Sequence, residues 1–207
     1  MQEWIDIHCH LDRLEGGPEL ALSQALAAGV KRIITIGTEP EDLPVVIALA
    51  EKHAPHVFCT IGVPPHDGVK YNSGVGEFIR KNANHPRVVA IGEIGLDYYY
   101  NQSPKVEQLL AFREQLQIAA EVGLPVEIHT RDAEEDTIKI LTEYKGRVKG
   151  VIHCFTGTEH LASEALSLGY NISISGVVTF KNAESLRNIV KNIIPLDRLH
   201  VETDAPF

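Results

Sequence analysis

The chain has 207 residues, 44% of them hydrophobic, and a formal net charge of −9. That length supports one substantial core, read as a single domain over residues 1–207, and the acidic balance excludes broad nonspecific binding of nucleic acid, which depends on counterion release by Lys and Arg. No stretch approaches the roughly eighteen consecutive apolar residues of a membrane span and no signal-like segment opens the chain, so a soluble, cytoplasmic protein with no membrane partner is expected.

The first apolar run, "WIDIHCH" (4–10), reads as a strand and is followed by a helical stretch, "PELALSQALAAG" (18–29). The alternation then repeats. "KRIITIGT" leads to "EDLPVVIALAEKH", "HVFCTIGV" to "GVGEFIRKNANH", and "RVVAIGEIGL" to the longest helical stretch, "PKVEQLLAFREQLQIAAEVG". "LPVEIHT", "GVIHCFTG" and "YNISISG" are likewise followed by "DAEEDTIKILTEY", "TEHLASEALSLG" and "KNAESLRNIVKNI", and "RLHVETD" supplies an eighth strand. Most helical stretches carry apolar residues at i, i+3 or i+4 and i+7, and Gly29, Gly123 and Gly169 stand where C-terminal caps belong. Nearly continuous apolar strands alternating with helices call for a parallel sheet covered by helices, and eight repeats favour a TIM-like (β/α)8 barrel. No G-x-G-x-x-G follows the first strand, so the dinucleotide-binding alternative is weak.

In such a barrel the carboxyl ends of the strands converge on one mouth, where catalytic residues sit. His8 and His10 close strand one, Glu93 strand four, His129 strand five, His153 strand six and Asp204 strand eight. Side chains two apart on a strand face the same way, so His8 and His10 both point inward. Four imidazoles and two carboxylates exceed what one tetrahedral ion needs, and two divalent ions (Zn, Mn or Mg) are the natural reading, with Glu93 a candidate bridge. The same parity puts Asp6, Glu127 and Glu202 inward, one layer below the ligands, where they would pair with the second ring nitrogens of metal-bound histidines. Cys9 and Cys154 are expected to turn outward to the helices; with Cys59 they lie too far apart for a disulfide or thiolate framework and read as reduced packing residues.

"DIHCHLD", "GEIGLDYY", "HTRDA", "HCFTG", "ISISGVVTFKNA" and "VETDAPF", in that order over nearly the whole chain, resemble the signatures of TatD-related metal-dependent hydrolases. The resemblance implies a binuclear site in a TIM-like barrel that hydrolyses phosphodiester bonds in nucleic acid, commonly as a deoxyribonuclease on single strands. It implies His8, His10, Glu93 and Asp204 around one ion and Glu93, His129 and His153 around the other, with Glu93 and Asp204 in catalysis. Arg131 either grips a substrate phosphate or pairs with Asp132 at the rim. Asp97, His66 and Ser175 are further candidates for substrate contact, whereas Tyr98, Tyr99 and Tyr100 read as loop packing before base stacking.

Two departures from the family pattern bear on this. In "IGVPPHD", Pro64 stands where relatives often carry the first histidine of "HPH", which leaves His66 alone. No helical stretch follows "VETDAPF", so the outer faces of strands one and eight lack the cover that a closing C-terminal helix gives; a homo-oligomer is one way to supply it. The substrate expected is DNA, with RNA or tRNA as alternatives. An aminoacyl-tRNA deacylase or other ester or amide hydrolase, and an inactive barrel acting as a binding protein, are the competing readings.

Overall fold

The computed structural model describes residues 3–207. Eight parallel strands run in the order of the chain: β1 (Trp4–Cys9), β2 (Val30–Thr35), β3 (Val57–Thr60), β4 (Val88–Asp97), β5 (Val126–Arg131), β6 (Gly150–Ile152), β7 (Asn171–Ile174) and β8 (Leu199–Val201). Seven α-helices connect them: α1 (Gly17–Ala27), α2 (Leu43–Lys52), α3 (Ser73–Asn82), α4 (Lys105–Val122), α5 (Glu134–Glu143), α6 (Glu159–Leu168) and α7 (Glu184–Asn192). Each crossover packs its apolar face on the sheet, and the two layers share one core. Phe112, Leu116, Leu141 and Leu161 from the helices and Ile33, Ile91, Ile128, Ile152 and Ile172 from the strands belong to it. Each such side chain contributes about 1.5–3 kcal/mol by leaving water. Gly123 and Gly169 end α4 and α6 with positive φ, as the sequence predicts.

The sheet closes on itself just beyond β8. Asp204 N donates to His8 O at 2.9 Å and His10 N donates to Ala205 O at 2.8 Å, so the seam lies at the carboxyl end of the barrel. The barrel architecture is therefore as expected. Away from the seam the outer surface of β1 and β8 is bare: Trp4 and Val201 are exposed. Among the described residues no helix is long and apolar enough to cross a membrane.

One strand departs from its expected limits. β4 does not end at Glu93 but runs to Asp97, pairing Gly95 with His129, Leu96 with Thr130 and Asp97 with Arg131 after a register shift between Ile91 and Ile94. Glu93 thus occupies the irregularity inside the strand, and Asp97 is its last residue and not part of a loop. Two glycines permit this close approach. A Cβ on Gly92 would lie 2.6 Å from Glu127 Cβ, and one on Gly95, whose φ is 142°, would collide with the His129 carbonyl.

Candidate metal centre at the carboxyl mouth

The six residues singled out from strand ends converge at one place. His8 Nε2 lies 3.4 Å from both His10 Nε2 and Asp204 Oδ1, and His10 Nε2 is 3.7 Å from the same oxygen. Glu93 Oε1 lies 3.0 Å from His129 Nδ1 and 3.1 Å from His153 Nε2. The two halves are continuous: His8, Glu93 and His153 offer atoms that all lie within 4.8 Å of one another, and the rings of His8 and His153 stack at 3.9 Å. Unscreened imidazoles and carboxylates this close, in a site where His8 is 0% and Glu93 6% exposed, are costly unless something cationic neutralises them. Four rings that each turn one nitrogen inward, with carboxylate oxygens between them, match the donor set of two divalent ions.

The layer below fits the same reading for two of its three carboxylates. Glu127 Oε1 accepts from His8 Nδ1 at 2.8 Å, and Glu202 Oε1 lies 3.4 Å from His153 Nδ1 while accepting the Cys154 amide. Each carboxylate would hold its imidazole with the proton on Nδ1 and the lone pair on Nε2. Asp6 does something else: it accepts Thr203 Oγ1 at 2.7 Å, Thr203 N at 3.0 Å and His8 N at 3.3 Å, tying the segment after β8 to β1. Burial raises the pKa of Asp6 and Glu127. For Glu93, burial acts in the same direction but His153 and His129 outweigh it and hold the carboxyl well below its usual range. For His8, His129 and His153 burial lowers the pKa, yet the surrounding carboxylates prevail and raise it.

The mouth above is a cavity of about 790 Å³ lined by Arg13, His66, Tyr100 and Arg131 as well as the centre itself. Asp97, fully buried, accepts from His129 Nε2 at 3.0 Å, from His66 Nε2 at 3.1 Å and from the Tyr100 amide at 2.7 Å. It therefore fixes one centre residue and one rim residue together. Arg131 lies over Tyr99 at 3.9 Å and Tyr100 at 4.7 Å and forms no ion pair with Asp132 among the described residues, which removes the rim-pair alternative. Ser175 caps the turn after β7 by accepting Val177 N, and its Oγ lies 3.1 Å from Cys154 Sγ. Cys154 does not face the helices: β6 ends at Ile152, Cys154 has φ 40°, and its side chain lines the mouth. Cys9 is buried as expected.

Sequence reasoning passed over two residues that hold this end of the barrel. Gln108 accepts the Asp97 amide at 2.8 Å and donates to the Asp97 and Ser103 carbonyls, and Gln115 accepts Val63 N at 2.8 Å and donates to Val63 O. Both are 0% exposed on the sheet-facing side of α4. Their signal was present: two glutamines seven apart, in phase with Ala111, Phe112 and Ile118.

Comparison with known proteins agrees with this geometry. The profile of the family described as TatD related DNase matches residues 5–207. The metal-dependent hydrolase YcfH of Escherichia coli is 41% identical over 211 residues, covering 98% of this chain and 77% of its own. The 3'-5' ssDNA/RNA exonuclease TatD of Pectobacterium atrosepticum is 38% identical over 205 residues, covering 98% of this chain and 78% of its own. The crystal structure of the TatD homologue YjjV from Escherichia coli superposes with a TM-score of 0.90 at 33% identity, over 98% of this chain and 79% of that one. The chain belongs to the TatD-related DNase family of metal-dependent hydrolases.

Proposed function

We propose that the protein hydrolyses phosphodiester bonds of single-stranded nucleic acid, removing nucleotides from an end. The observation that carries this is the single Glu93 carboxylate set between His129, His153 and His8, with Asp204 and His10 completing the far side. His8, His10, Glu93 and Asp204 would hold one divalent ion and Glu93, His129 and His153 a second. When bound, such ions would lower the pKa of a water and neutralise charge on phosphoryl oxygens. Asp204 is the most solvent-facing of the six, with a side chain 20% exposed. Burial would raise its pKa, but His10 and His8 hold it below the usual value and keep it ionised; Oδ1 faces the two ring nitrogens and would serve the ion, which leaves Oδ2 to accept a proton.

The rim does the rest. Arg131 sets a cationic donor on this cavity, suited to the phosphates of a strand, Arg13 and His66 are held at the same rim by Asp42 and Asp97, and Tyr100 offers a face on which a base can stack. Arg131 lies against two tyrosine rings, so its fork is held rather than searching, and less entropy is lost when a phosphate arrives. The relative named a 3'-5' ssDNA/RNA exonuclease supports this substrate class.

The test is digestion of an end-labelled single strand by protein loaded with Zn²⁺, Mn²⁺ or Mg²⁺, beside Glu93→Ala, duplex DNA and aminoacyl-tRNA. The single strand should shorten stepwise and Glu93→Ala should lose about a hundredfold or more of the rate. Wild-type turnover by Glu93→Ala, or hydrolysis confined to aminoacyl-tRNA, would overturn the assignment.

A further inference from the structure

A second cavity, of about 580 Å³, occupies the opposite half of the barrel. Its lining takes residues from all eight strands, among them Ile7, Ile34, Val89, Glu127 and Val151, which only the lumen can do. It opens at the amino-terminal ends, since Lys149 immediately precedes β6 and Arg198 immediately precedes β8. Small-barrel lumens are ordinarily filled by side chains. Here the wall residues Ile34, Val89 and Val151 are only partly buried.

The polar groups of this cavity are arranged by depth. At the inner end stands Glu127, which gives Oε1 to His8. In the wall, Thr60 is 1% exposed and its Oγ1 has no partner. Asn171 and His200 satisfy each other at 2.7 Å. At the mouth, Arg198 spends Nε on Asn171 Oδ1 and Nη2 on Tyr170 O, and exposed Lys149 lines the same opening; neither cation pairs with a carboxylate among the described residues. Two uncompensated cations at the opening of an apolar chamber, in a chain whose net charge is −9, are a recognition pattern and not a general consequence of composition.

We propose that the amino-terminal half of the lumen binds a small soluble amphiphile, a single carboxylate carried on an apolar body. The carboxylate lies at Lys149 and Arg198, and the apolar body lies along Ile34, Val89 and Val151. The volume falls in the range of small-molecule sites, which are mostly apolar with a few placed polar groups. This site is independent of the hydrolytic reading and would stand if that reading failed.

The test uses the metal-loaded protein with anilinonaphthalene sulfonate as the fluorescent probe and decanoate as competitor. Decanoate should displace the probe from one saturable site, and decanol, lacking the charge, should compete more weakly. Val151→Phe, which narrows the chamber, should weaken decanoate about tenfold or more. Lys149→Glu, at an exposed position that leaves folding intact, should weaken decanoate but not decanol. Val201→Glu, on the bare outer surface of β8, should leave decanoate binding unchanged. Loss of binding in Val201→Glu, equal competition by decanol, or wild-type affinity in Lys149→Glu would overturn the proposal.

Discussion

Replacing Glu127 by glutamine isolates the contribution of charge one layer below the metal centre. The side chain keeps its shape and its Oε1 can still accept from His8 Nδ1, but the acceptor is no longer ionised. At 2.8 Å, with partners 0% and 3% exposed, the native contact has the length of a charge-assisted hydrogen bond. Such bonds contribute about 1.5–3 kcal/mol against about 0.5–1.5 for neutral ones, so the change removes roughly 1–1.5 kcal/mol from the form of His8 that presents Nε2 to a metal. At about 1.4 kcal/mol per tenfold, divalent-metal affinity should weaken roughly tenfold, within the span known for partners of metal-bound histidines. Glu202→Gln, whose contact to His153 is 3.4 Å, should cost less. The assay is competition with a chelating indicator, alongside circular dichroism to confirm folding. A folded Glu127→Gln that binds metal within twofold of wild type, or a larger loss in Glu202→Gln, would refute the reasoning.

Acidity should separate the metal-free and metal-loaded proteins. The raised pKa values of His8, His129 and His153 give the metal-free fold stability that is full below the unfolded imidazole value near 6.5 and is lost as pH rises through the folded values. Metal binding needs those rings neutral and so strengthens over the same window. The difference in melting temperature between loaded and metal-free protein should widen from about pH 6 to about pH 8.5; a constant difference would count against protons and metal sharing these rings. Gly95→Ala adds a methyl group against the His129 carbonyl at φ 142°. The expected cost is about 4 kcal/mol, or roughly 8–16 °C in melting temperature, and a shift under about 2 °C would mean that β4 relaxes around the clash.

The barrel and its six convergent residues were legible because both follow from periodicity: apolar runs spaced by helices give the strands, and parity along each strand gives the direction of its polar residues. Legibility ended where pairing becomes irregular. The register shift between Ile91 and Ile94 let β4 continue four residues past Glu93, so Asp97 came out as a strand residue fixing His129 and His66. Parity also failed two residues beyond the end of β6, at Cys154, whose positive φ turns it into the mouth. Parity failed at Asp6 as well: the register shift between Asp6 and Cys9 puts Ile7 in the lumen and turns Asp6 the other way, to Thr203. Gln108 and Gln115 were hidden for a different reason: a buried amide looks like a surface residue until the backbone groups it satisfies are known.

The seam of the barrel has a consequence for when the centre comes into existence. The bonds that close it are made by the backbones of His8, His10 and Asp204, so the last closure of the fold and the completion of one ion's ligands are a single event. Asp6 and Thr203, which clasp the same seam, are 197 residues apart in the chain. A polypeptide emerging from the ribosome therefore holds two of these three ligands long before it gains the third, when residue 204 has joined. An ion taken up there would act as a rivet across the longest loop in the molecule, drawing first and last strands together against the entropy of that loop.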